Sequence, residues 1–297
     1  MEAAYCSNGR HLFVFGGVRP CVSEAAYART FSHAISTWSC SENPDIEPLG
    51  DLWMLDLATS DWTLLSDHST PGYAGPSPRS FSALAFEPSS NTLLLYSGLK
   101  FSVPSNKLSS NCFTDLWRFD CSSLVWNRLP GKHPSCVKAG PSVIHDGGLF
   151  VVDSHCQSTS ESTEIIRYDI ASGCWRQQWC GGRGPVLESP VTGWAQDGRM
   201  YVFGIDRGSM SETAALWRVN LNEPAAGWQK INAAGGSGLR LKGPASAFWS
   251  EGAASFNPVS RKAYVFGGWN EHFSWFTFAA DSGRGYALTG RSLLPRP

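Results

Sequence analysis

Long apolar runs are missing from this 297-residue chain. No stretch reaches the roughly 18 consecutive apolar residues of a spanning helix, so no membrane span is expected. Charge is sparse as well: Asp, Glu, Lys and Arg make up 16% of the residues and the net charge is −1. Such a chain has no broad field for nucleic acid or anionic lipid, and neither is an expected partner. The seven histidines form no HxH, HExxH or i,i+4 pair. No metal and no cofactor are therefore expected. No cysteine of the nine stands in a CxxC pair, and their number is odd. The opening MEAAYCSNGR has no basic segment followed by an apolar core. These features together lead us to expect reduced thiols and a cytoplasmic location.

Aromatic and loop-forming residues are abundant: 13 Trp, 16 Phe, 30 Gly and 18 Pro. One apolar phrase recurs five times, as HLFVFGG (11–17), TLLLYSG (92–98), GLFVVDS (148–154), RMYVFGI (199–205) and KAYVFGG (262–268). Each is too short for a helix and rich in strand-forming residues, so each reads as a buried strand. Downstream of each phrase comes a spaced aromatic or apolar pair: Trp53/Trp62, Trp117/Trp126, Ile166/Trp175, Trp217/Trp228 and Phe276/Tyr286. Asp56, Asp120, Asp169 and Asn220 stand three residues after the first member of four pairs, where a short polar side chain can close a turn. Upstream lies a further strand-like run of small residues, such as SFSALAF (80–86). The unit is thus four strands, which we call a, b, c and d, repeated at intervals near 50 residues. That period is the signature of a β-propeller blade.

With these motifs the sequence resembles a kelch-repeat protein, over residues 1 to about 290. Gly16–Gly17 and Gly267–Gly268 match the family's double glycine at the end of strand b; Ser97–Gly98 matches in part, and Asp153–Ser154 and Gly204–Ile205 depart from it. Trp62, Trp126, Trp175 and Trp228 match its strand-d tryptophan. The resemblance implies an all-β, kelch-type propeller in one domain, with five countable four-stranded blades at about 1–66, 79–130, 140–179, 189–232 and 251–290. Neither terminus offers a spare strand to close a ring, so an incomplete arc is favoured over a closed five-bladed ring. The tryptophans are expected to wedge between blades, and the glycines to let the chain turn sharply after strand b.

Spare chain collects in the b–c and d–a connections, while the a–b and most c–d turns are short. The longest b–c insertion, 18–50, contains SEAAYARTFSHAI (23–35), a candidate short helix. Long loops on a rigid scaffold are where binding concentrates. The expected function is a non-enzymatic module that binds a protein or peptide on this face. Arg19, Lys100, His155, Arg207, Trp269 and Asn270 follow the strand-b exits, and Arg79 precedes strand a of the second unit. A rim of basic side chains suits an acidic peptide, whose carboxylates arginine forks grip. The alternative is an enzyme acting on a small sugar-like substrate in the central channel, although no nucleophile with a convincing base is visible. The sequence is silent on oligomeric state.

Overall fold

The apolar phrases are strands, and each sits second in an antiparallel sheet. A computed structural model describes residues 3–20, 46–102, 109–131, 139–153, 164–178, 184–185, 192–206, 213–231, 249–257, 262–269 and 277–281. The first sheet is β1 (Ala4–Ser7), β2 (His11–Pro20), β3 (Ile46–Asp56) and β4 (Trp62–Ser66), in that order. The second runs β5 (Ala83–Glu87), β6 (Thr92–Tyr96), β9 (Leu116–Asp120) and β10 (Val125–Leu129). A separate hairpin of β7 (Leu99–Ser102) and β8 (Ser109–Cys112) lies between its strands b and c. The third is β11 (Ala139–His145), β12 (Gly148–Asp153), β13 (Glu164–Asp169) and β14 (Cys174–Gln178). The fourth is β15 (Thr192–Gln196), β16 (Arg199–Asp206), β17 (Thr213–Asn220) and β18 (Gln229–Ile231).

Among the described residues this is an all-β propeller fold with four four-stranded blades, not the five read from the repeat. The fifth unit supplies three described strands, β19 (Trp249–Asn257), β20 (Lys262–Trp269) and β21 (Thr277–Asp281). Its counterpart of strand d, around Tyr286, lies outside the described residues, as does the expected helix at 23–35. The chain divides into two units, Met1–Cys136 and Val137–Pro297. No described helix is long and apolar enough to cross a membrane.

The turn chemistry is local and was legible. Asp56 Oδ1 accepts the backbone N–H of Ala58 at 2.8 Å, and Asp120 Oδ1 accepts those of Ser122 at 2.7 Å and Ser123 at 3.0 Å. Asp169 Oδ1 accepts Ser172 N at 2.8 Å, and Asn220 Oδ1 accepts Asn222 N at 3.1 Å. Each side chain mimics a backbone carbonyl and closes the turn from strand c to strand d. These turn bonds hold the Asp56, Asp120 and Asp169 carboxyls below the ordinary range, with Ser69 playing a similar part for Asp67.

Packing within each unit follows one rule: strand d of a blade is locked to the blade before it. In the first unit Trp126 is 8% exposed and packs with Phe13, Phe15 and Leu52 of blade one and with Leu93, Leu95 and Phe119 of its own sheet. Its ring meets Phe15 edge-on at 5.6 Å, and its indole N–H donates to Ser66 Oγ at 3.0 Å. In the second unit Trp228, also 8% exposed, joins Met200, Val202 and Val219 to Phe150, Val152 and Ile165 of the preceding sheet. Trp175 is half-buried, with its ring 5.0 Å from that of Tyr168. Trp62 departs from the expected wedge, because 53% of it is exposed. A repeat can specify the wedge residue, but only tertiary structure supplies the face it enters.

The cysteines also differ from the uniform reduced set expected. Cys6, Cys121 and Cys174 are free thiols, whereas Cys112 is disulfide-bonded, its partner lying outside the described residues.

Candidate functional site

The b–c ends of several sheets project beyond their blades as two-stranded ribbons. In blade one, strand a reaches only Phe15 and strand d only Leu52, yet β2 and β3 remain paired through Gly17–Leu49, Val18–Pro48, Arg19–Glu47 and Pro20–Ile46. Residues 18–20 and 46–50 are therefore strand, where the sequence had been read as loop; Pro20 and Pro48 concealed it by their low strand propensity. In blade two the ribbon is the β7–β8 hairpin, with Lys100 opposite Asn111. In blade four it is the outer part of β16 and β17, from Gly204–Ala215 to Asp206–Thr213.

In the first unit one short segment stitches two ribbons together. The Arg79 N–H donates to Leu49 O and the Arg79 carbonyl accepts from Gly17 N, both at 3.0 Å. Ser80 and Leu99 then exchange two backbone bonds, Ser80 N to Leu99 O at 3.1 Å and Leu99 N to Ser80 O at 2.8 Å. This close passage explains the double glycine. Gly16 and Gly17 have φ of 67° and 100°, and a β-carbon on Gly16 would collide with the Arg79 carbonyl oxygen. The pair does not turn the chain away after strand b, as the sequence reading had it. It forms a bulge in a strand that continues, freeing room for the neighbouring backbone. Gly267 and Gly268 likewise lie within a continuing strand, β20.

The side chain of Arg79 is the keystone of the arrangement and is fully buried. It grips Asp115 with both terminal nitrogens, Nη1 to Oδ1 at 2.6 Å and Nη2 to Oδ2 at 3.1 Å. It also donates to the carbonyls of Ser97 at 3.0 Å and Ser77 at 2.9 Å, and its guanidinium lies 3.9 Å from the Phe113 ring centroid. Asp115 Oδ2 accepts the Trp117 indole N–H at 2.8 Å as well. Burial pushes the Asp115 carboxyl up, but the Arg79 guanidinium and the Trp117 N–H outweigh it and hold the group below its ordinary value. Ser97 Oγ donates to Phe113 O at 3.0 Å, and Phe113 N donates to Gly98 O at 2.9 Å. The root of the β7–β8 hairpin is thus fixed on both strands, with the bonded Cys112 at its end.

Arg79 is therefore absent from the exposed rim where the sequence placed it: its donors are spent inside the protein. Glu-Lys-type surface patterning could not reveal this, but the Asp-x-Trp motif could. Asp51–Trp53 and Asp115–Trp117 share it, and in both the carboxylate accepts the indole N–H. A lone arginine just before a small-residue strand, with such an aspartate downstream, is a sequence signal for the buried pair. The other expected contact residues are not brought together by anything described. Arg19, Lys100 and Trp269 are placed by their strands β2, β7 and β20, but their side chains lie outside the described residues; so do His155, Arg207 and Asn270 altogether. Among the described residues no three His, Cys, Asp or Glu side chains form a group able to hold a metal ion.

No family model matches the chain. Two curated proteins are similar over about half of it. Human multiple epidermal growth factor-like domains protein 8 is 27% identical over 166 residues, 52% of this chain and 5% of the relative. The mouse protein of the same name is 26% identical over 164 residues, 52% of this chain and 6% of the relative. The aligned region is thus about a twentieth of the length of these relatives.

Proposed function

We propose that the chain is a kelch-type propeller module that binds a protein or peptide, and that the b–c ribbons carry the contact. The observation behind this reading is the rooting of the first-unit rim. Arg79 orders two ribbons at once, through its backbone on one side and its guanidinium on the other. A rigid root lowers the ordering cost of binding by whatever the ribbon tips contact. Arg19 and Lys100 stand on these ribbons, so a partner with exposed carboxylates suits them, as Arg207, His155, Trp269 and Asn270 would at the corresponding strand-b exits of later units. The bonded Cys112 and a relative named for epidermal growth factor-like domains, a disulfide-dense module type, favour an oxidising compartment over the cytoplasm.

The test uses the intact chain as bait on cells that express it. A partner captured by the wild type is expected to be lost from Arg19→Glu combined with Lys100→Glu, with the melting temperature unchanged. Glu87→Arg, the last residue of β5 at the other end of blade two, is expected to retain it. Equal capture by all three proteins would overturn the assignment of the ribbons as the contact.

A further inference from the structure

Two free thiols come together in the seam between blades one and two. Cys6 lies on β1, strand a of blade one, and Cys121 directly follows β9, strand c of blade two. Both are half-buried and pack against the single apolar cluster that joins these sheets. The second unit shows what else this place in a seam can hold. Cys6 pairs with Phe13 as Val143 pairs with Phe150. The Cys121 N–H donates to Asn91 O at 3.2 Å as the Leu221 N–H donates to Gly198 O at 2.8 Å. Val143 and Leu221 thus occupy the same two positions, and both pack in the cluster joining blades three and four. Beside them His145 Nε2 and Asn222 Oδ1 are 2.8 Å apart, so the end of strand a in one blade reaches the c–d turn of the next. The other complete sheets carry Phe86 and Ala195 at the strand-a position, and Leu57 and Ile170 at the turn position. An apolar side chain therefore satisfies the packing at either place. Cysteine stands once at each, and the two fall on opposite sides of one seam.

We propose that Cys6 and Cys121 are a redox-responsive pair, reduced in this structure and able to close into a disulfide that staples blade one to blade two. The oxidant is a small disulfide such as oxidised glutathione. The Cys121 thiolate attacks one of its sulfurs, the S–S bond breaks, and one glutathione thiolate leaves. Cys6 then gives its proton to solvent, and its sulfur displaces the second glutathione from Cys121. Two protein thiols are oxidised to one disulfide as one small disulfide is reduced to two thiols. Cys121 attacks first because burial raises it only to about 11, whereas burial and the neighbouring Cys121 push Cys6 higher still. Closure accelerates with pH, since each attack needs a thiolate. It fastens the seam at its turn end, opposite the Arg79 stitch at the ribbon end.

The experiment incubates the full chain with oxidised glutathione at pH 8 and maps its peptides without reduction. A Cys6–Cys121 linked peptide is expected, with the urea midpoint shifted upward by the new cross-link. Cys6→Val with Cys121→Leu copies the second seam and keeps the Cys112 bond. This variant is expected to melt like the reduced wild type and to show no midpoint response to the oxidant. Cys6→Val alone is expected to stop at a glutathione adduct on Cys121. Glutathione on exposed Cys174 reports that the oxidant has acted. Full modification of Cys174 with no Cys6–Cys121 peptide would overturn the proposal, because a disulfide forms only between closely set β-carbons. An equal midpoint shift in the double variant would also overturn it, by assigning the response to other cysteines.

Discussion

Replacing Arg79 with methionine is the most informative single perturbation of this fold. The arginine is fully buried, and the carboxylate it holds is 15% exposed. Methionine keeps much of the stem's volume, so the change isolates the guanidinium. Four hydrogen bonds disappear, two of them to a charged acceptor at 2.6 and 3.1 Å. Asp115 is then left largely buried, held by the Trp117 indole N–H and its own backbone N–H. Removing one partner of a buried ion pair costs about 3–5 kcal/mol, most of it the penalty of the stranded charge. The double variant Arg79→Met with Asp115→Leu removes that charge and should recover most of the loss. Urea denaturation of wild type, both single variants and the double variant measures the cycle. The pH dependence follows from the sign of the Asp115 shift. Its folded value is depressed, so its contribution is complete above the unfolded carboxylate value of about 3.9 and is lost as pH falls through the folded value. In the methionine variant burial pushes the stranded Asp115 up, so it is protonated before the wild-type group is, and the gap to wild type should narrow as pH falls from above the ordinary carboxylate value. A cost under about 1 kcal/mol at neutral pH, or a gap that does not narrow in acid, would refute the account of Arg79 as a buried anchor.

Other outcomes follow from the same geometry. Trp126→Ala should destabilise by about 3–5 kcal/mol in chemical denaturation, while Trp62→Ala should stay within about 1 kcal/mol; equal costs would count against the seam assignment. Gly16→Ala should cost more than Gly9→Ala. Both positions have positive φ, but only Gly16 has backbone where the methyl would go, and strain of this kind runs to about 1–3 kcal/mol. Reduction of the Cys112 disulfide should lower stability by about 2–4 kcal/mol, read as a shift in the denaturation midpoint with and without dithiothreitol. Among the described free thiols, iodoacetamide at pH 8 should label exposed Cys174 first. Burial raises the Cys121 thiol to about 11 and pushes Cys6 higher still, with the nearby Cys121 adding to the effect on Cys6.

What the sequence disclosed was whatever depends on near neighbours. The four strand-c aspartate and asparagine turns needed only the next three residues. The repeat placed Trp126 and Trp228 at strand-d positions that proved to be seams, because an apolar residue at a fixed interval keeps its face. Trp62 shares the interval and not the burial, since burial depends on a second sheet that the repeat cannot specify. Arg79 was found as a residue and misplaced as a surface, because its carboxylate partner is 36 residues downstream and reaches it only after blade two has folded. The ribbon strands at 18–20 and 46–50 were missed for a local reason: their prolines and glycines weigh against strand, and only the cross-strand pairing over a long insertion outweighs them.

The backbone of Arg79 carries a lesson for anyone who would cut and splice this chain. By sequence it belongs to the repeat that begins at blade two. By hydrogen bonding it is the outermost rung of blade one, clamped between Leu49 and Gly17. A chimera that replaces the second repeat would graft a foreign residue into that rung, and one that replaces the first would meet the Arg79 backbone with foreign partners in place of Leu49 and Gly17. The transferable cassette is therefore offset from the repeat. Its upstream junction belongs in the exposed turn at Ser69–Gly72, so that the stitch and the carboxylate travel together.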